Sequence, residues 1–149
     1  FKYEFAFDVD LAPGYYVRKT IKSFIDDAII IPHPTRPETY NITSAVFRKL
    51  KQYARFLKTY LESYWIVFNH FQKHKRNDAS AKERLKIIQK DGDRMYKAKT
   101  LEHIESISKV YFQNGINFFT THGVRGSEDE EKLDYYNDVI QRYRERINN

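Results

Sequence analysis

The sequence predicts a mainly α protein: a helical bundle built on one long heptad helix, with a small winged-helix-like two-stranded β-ribbon near the N-terminus. Three observations carry this. Apolar residues step alternately by three and four through Phe47, Leu50, Ala54, Leu57, Leu61, Tyr64, Phe68 and Phe71. That is the a/d rhythm of a long packed helix. Ser80-x-x-Glu83 and Ser127-x-x-Glu130 are capping-box patterns, each followed by periodic apolar residues. Pro32, Pro34 and Pro37 fall between two β-favouring runs, the pattern of a ribbon with a proline-rich tip.

Taken in order, residues 10–28 read as a first helix, with Val17, Ile21, Phe24, Ile25 and Ala28 on one face. Pro13 suits its first turn, where a missing N–H costs nothing. Ala28 to Ile31 and Glu38 to Ile42 read as the ribbon's strands. The long helix starts at Thr43 or Ser44, either of which can cap it, and meets neither Gly nor Pro before Arg76. That is roughly 50 Å at the helical rise. Asn77 to Ser80 is a turn, and the helix after it points Leu85, Ile88, Met95 and Tyr96 inward. Gly92 weakens that helix without breaking it. A further helix carries Ile104, Ile107, Tyr111, Phe118 and Phe119 and stops at Gly123. The last one opens at the Ser127 box and shows Leu133, Tyr136, Ile140, Tyr143 and Ile147. The domain reading is a winged-helix-like half over 1–43 and a helical bundle over 44–149. Together they form one compact unit cut from a larger chain, because Phe1 stands in mid-pattern with Phe5 and Phe7.

Composition narrows the function classes. At 149 residues with 41% hydrophobic and 16% aromatic content, the chain has the apolar material for a core. Mean hydropathy is −0.73, and no apolar run approaches a membrane span. Zero cysteines exclude disulfides and thiol chemistry. The net charge of +6 is concentrated between Ser44 and Arg76, where Glu62 is the one acid. Arg48, Lys49, Lys51, Arg55 and Lys58 are therefore candidates for contact with an anionic surface. A solvated face opposite the seam is the plain alternative.

Motifs that carry chemistry are scarce. His70 and His74 are four apart, on one face of a helix, but no third ligand stands near them in the sequence and Lys73 and Lys75 oppose a cation. The reading is no metal and no cofactor. Gly123-Val-Arg-Gly126 is too short for a phosphate loop, and no nucleophile elbow marks a serine. Tyr60, Tyr64, Trp65, Phe68 and Phe71 lie on or beside the seam and read as core or domain interface.

One stretch goes further. Phe56-Leu57 followed by Leu61-Glu62-Ser63-Tyr64-Trp65 resembles a signature in the C-terminal region of bacterial-type glycerol-3-phosphate acyltransferases. Arg94-Met95-Tyr96 is a second match. Glu105 to Val110 with Asn114, Phe118-Phe119 and Gly123-Val124 is a third, so the resemblance covers about residues 40–124 in order and spacing. Phe24 to Ile30 is a weaker fourth. The resemblance implies domain-interface or core roles for Leu61, Glu62, Tyr64, Trp65, Ser108 and Lys109.

In that family the chemistry belongs to an upstream acyltransferase domain, whose His-x4-Asp motif supplies the base. None of His33, His70, His74, His103 and His122 has Asp at that spacing, so no catalytic residue carries over. The expected function is a non-catalytic C-terminal domain of an enzyme that transfers an acyl group from a thioester to glycerol 3-phosphate, the first step of phospholipid synthesis. Its expected partners are the upstream acyltransferase domain of the same chain and an anionic membrane surface. The parent would be peripheral on the cytoplasmic side of the membrane, with this segment soluble. The alternative is a winged-helix nucleic-acid-binding or transcription-regulatory module.

Overall fold

The computed structural model describes residues 13–76 and 79–148. The Phe1, Phe5 and Phe7 pattern, the helix start at residue 10 and the turn residues Asn77 and Asp78 lie outside them, as does the side chain of Ile147. The protein is mainly α: 71% of the described residues are helical, and among them is one small antiparallel sheet.

Helix α1 spans Pro13–Asp26, with Pro13 in the first turn as its fixed φ favours. Strands β1 (Ile31–Pro32) and β2 (Tyr40–Asn41) follow, with Ile31 opposite Asn41 and Pro32 opposite Tyr40. They are two residues each, shorter than the runs on either side of the prolines. Proline offers no N–H to lengthen a ladder. Helix α2 runs unbroken through Ser44–Lys73, 30 residues and roughly 45 Å. Thr43 caps it, its Oγ1 accepting from the Val46 N–H at 3.3 Å. Helix α3 (Ala81–Lys97) opens with the full capping box: Glu83 N donates to Ser80 Oγ, and Ser80 N to Glu83 Oε2 at 3.0 Å. A 3-10 turn at Ile104–Ser106 precedes helix α4 (Lys109–Thr121), and helix α5 spans Glu130–Asn148.

The chain divides into two compact units, and the division falls inside α2 between Ala54 and Arg55. The second unit holds the core. Tyr64, Ile66, Val67, Phe68 and Phe71 of α2 pack with Ile88, Leu101, Phe112, Ile116, Phe119, Val124, Leu133 and Ile140. Helices α2 and α4 come close because α4 has Gly115 at the crossing: a Cβ there would lie 3.1 Å from Val67 Cγ2. The rings of Tyr64, Phe68 and Phe71 lie against Phe119 at centroid distances of 5.7–6.1 Å, the first two tilted and Phe71 edge-on.

Several details differ from the pattern read in the sequence. The seam of α2 is deeply buried only from Tyr64 onward; Leu50, Leu57 and Leu61 are half-buried and Phe47 is 49% exposed. Helix α2 stops at Lys73, short of Arg76. Tyr96 is exposed, beside the end of α3. Ile104 is exposed and does not share a helix with Phe118, because His103 and Ser108 adopt extended backbone on either side of the 3-10 turn. Asp129, not Ser127, immediately precedes helix α5. The Asp129 carbonyl accepts from Leu133 N, and its carboxylate accepts from Arg125 N at 2.7 Å. Ser127 instead donates its N–H to the His74 carbonyl at 2.9 Å. Tyr143, on the same face pattern as Leu133, is exposed.

Candidate functional site

The signature of α2 is a clamp. Glu62 is 7% exposed, yet it is an acid on the core side of a helix. A carboxylate so placed needs donors. The segment after α3 supplies them. Glu62 Oε1 accepts from the Glu102 N–H at 2.9 Å, and Oε2 from the His103 N–H at 3.1 Å and the Ser106 hydroxyl at 3.1 Å. His103 Nδ1 lies 3.3 Å from the same oxygen, outside aligned hydrogen-bond geometry. One residue on, the fully buried Ser63 donates its hydroxyl to the Ser106 carbonyl at 2.5 Å, with the Thr59 carbonyl as the in-helix alternative at 3.0 Å. The Ser106 hydroxyl has one proton, shared between Glu62 and the His103 carbonyl, which is its other acceptor within the turn. Glu62-Ser63 therefore fixes both a donor pair and an acceptor of the 102–106 segment.

Around this clamp the other signature residues pack. The Tyr64 ring meets Phe118 at 5.5 Å. Trp65 is half-buried under the Arg144 guanidinium of α5, 3.5 Å from the ring centroid. Burial pulls the Arg144 pKa below its usual value, against the opposing pull of Glu62 and Glu102. Leu61 is half-buried. Ser108 takes the N-cap position of α4, with its carbonyl accepting from Phe112 N, and its side chain makes no capping bond. Lys109 is exposed in the first turn.

The five basic candidates separate. In the unit ending at Ala54, Arg48 and Lys49 are exposed, and Lys51 is half-buried with its ammonium 5.7 Å from the Phe47 centroid. In the other unit Arg55 is exposed, but Lys58 is turned to Glu102 with Nζ 2.5 Å from Oε1. That hydrogen bond from Lys58 draws the Glu102 carboxyl below the usual range. An open groove of about 530 Å³ lies along α1 and the ribbon, lined by Val17, Ile21, Ile25, Tyr40, Arg18 and Lys22.

The histidines have structural surroundings. His33 Nδ1 accepts from the Thr35 and Arg36 amides, both at 3.2 Å. His122 Nδ1 sits 2.7 Å from the Phe118 carbonyl. His70 and His74 stack at 4.4 Å, and α3 brings Asp91 beside them. Asp91 is the neighbour a local reading of α2 misses, because it comes from another helix. The Glu62–His103 pair superficially resembles an acid–base dyad. Its carboxylate, however, is committed to two backbone amides and a hydroxyl, which suits holding a loop.

The comparison with known families agrees with this placement. The family described as the glycerol-3-phosphate acyltransferase C-terminal region matches residues 1–128. No curated protein and no solved structure matched the chain. The match takes in α1, the ribbon, the clamp and α4, and ends before α5. The chain belongs to the glycerol-3-phosphate acyltransferase C-terminal region family.

Proposed function

We propose that this chain is the non-catalytic C-terminal region of a glycerol-3-phosphate acyltransferase, and that it docks on the acyltransferase domain. The parent would transfer an acyl group from a thioester to glycerol 3-phosphate. The observation that carries the docking is the surplus of exposed apolar side chains in the unit ending at Ala54. Tyr15, Val17, Ile31, Ile42, Phe47 and Tyr53 are all exposed, with Tyr53 at 54%. Ile30 is the buried hydrophobic residue among its described residues. The described part of the unit, with so little buried, gains by covering that surface. The family's own name supplies the neighbour, the catalytic part of the same enzyme. Arg48 and Lys49 beside Phe47 add attraction for anionic lipid, which would keep the parent peripheral on the membrane.

The winged-helix reading receives less support, since each ribbon strand is two residues long. The test is reconstitution in trans. An acyltransferase truncated before this region is mixed with this chain, and co-migration in gel filtration and acyl transfer to glycerol 3-phosphate are read. Association that Phe47→Asp with Tyr53→Asp abolishes, while circular dichroism stays unchanged, supports docking. No association at micromolar concentrations, or association indifferent to the double variant, overturns it.

A further inference from the structure

The geometry points to a divalent transition-metal site, of the zinc class, formed by His70 of α2, His74 just past its C-terminal end and Asp91 of α3. One ligand atom from each lies within 4.8 Å of the other two. The two histidines are i and i+4, so their rings project from one helical face, and they stack with centroids 4.4 Å apart and planes 25° from parallel. His70 is 3% exposed. The Asp91 side chain is 15% exposed, so the three donors face a recess rather than open water.

The donor set selects the ion. Two imidazoles and one carboxylate suit zinc, cobalt and nickel, whereas calcium and magnesium prefer all-oxygen shells. Three protein ligands leave a fourth position for water, the usual arrangement of an open tetrahedral site. Ligand atoms around tetrahedral zinc stand about 3.3 Å apart at bond lengths near 2.0–2.1 Å. Small side-chain rotations within a 4.8 Å cluster reach that geometry.

The frame is held in place from two sides. The His74 carbonyl accepts the Ser127 N–H at 2.9 Å, and α3 is anchored by its capping box. Asp91 currently pairs with Arg94 at 3.3 Å; Arg94 is 78% exposed, so that contact exchanges for a metal bond at little cost. Lys73 and Lys75 are exposed nearby and act against a cation, but solvent screens them. A bound ion would cross-link the C-terminal end of α2 to α3. This inference is independent of the docking proposal.

The experiment uses the full chain, tag-free and stripped with chelator. Co²⁺ is titrated as the spectroscopic probe, and Zn²⁺ by competition and by thermal melting. The expected result is one equivalent of Co²⁺ with the intense visible absorption of tetrahedral coordination, displaced by Zn²⁺, and a rise in melting temperature with Zn²⁺. His74→Ala and Asp91→Asn should each weaken binding at least tenfold with unchanged circular dichroism. Arg94→Ala, which frees the carboxylate, should bind at least as tightly as the parent chain. Absence of stoichiometric binding overturns the site. So does binding that survives the His74→Ala, Asp91→Asn double variant, because the ion would then sit elsewhere.

Discussion

Replacing Glu62 by alanine tests whether the signature is a structural clamp. The substitution removes the acceptor for the Glu102 and His103 amides, at 2.9 and 3.1 Å, and for the Ser106 hydroxyl. Ser106 retains the His103 carbonyl as acceptor, so its loss is small. Hydrogen bonds to a charged acceptor contribute about 1.5–3 kcal/mol each, giving about 3–6 kcal/mol for the two amides. Glu102 is largely exposed, and water can take over part of its amide's bonding. The expected cost is therefore about 2–4 kcal/mol. Glu62→Gln keeps one carbonyl oxygen for one amide but presents an NH2 to the other, so about half the loss remains. Urea denaturation supplies the stability difference, with an unchanged slope required. Amide exchange at Glu102 and His103 supplies the location. A cost below about 0.5 kcal/mol for Glu62→Ala, with exchange at those two amides unaltered, would refute the clamp.

Gly115→Ala puts a Cβ 3.1 Å from Val67 Cγ2; with alanine's better helix propensity offsetting up to about 1 kcal/mol, it should destabilise by about 0.5–2 kcal/mol in chemical denaturation, with Val67→Ala in the same chain restoring part of it. Ala28 (φ 53°) and Lys99 (φ 57°) occupy left-handed positions just past α1 and α3, so Ala28→Gly and Lys99→Gly should each stabilise by about 0.5–1 kcal/mol, read as a higher denaturation midpoint. The Ser80 side-chain and backbone bonds hold the Glu83 carboxyl below its ordinary 4.5. A depressed native value gives a contribution that is present above 4.5 and lost as pH falls through the depressed value. Glu83→Gln should therefore flatten the acid limb of stability against pH, and an unchanged limb would remove the box from the account.

The parts legible in the sequence are those written locally. The three-four rhythm marks α2, and Ser80-x-x-Glu83 marks the start of α3, because both depend on neighbours in the chain. Gly123, at φ 83°, marks the end of α4, where Val124 N closes on the Phe119 carbonyl. The ends of α1 and α3 use the same closure: Ile29 N bonds to Phe24 O, and Thr100 N to Met95 O. Ala28 and Lys99 fill the left-handed position there instead of glycine, so the stop carries no residue signal. The break between the 3-10 turn and α4 has no Gly or Pro either. It is imposed by Glu62 and Ser63 from another helix, a tertiary effect that no local pattern encodes. The same reason hides Asp91 beside His70 and His74. Glu62 itself was visible as the lone acid in a basic helix; its donors were not.

Under the proposed function, these residues support an acyltransferase without performing its chemistry. The most direct measurement is acyl transfer by this chain alone, with glycerol 3-phosphate and labelled acyl-CoA or acyl-carrier protein, against a heat-inactivated control. The account predicts no acylated product above that control. Product clearly above it, lost in Glu62→Gln while the fold persists, would contradict the account and make the buried carboxylate beside His103 a catalytic group.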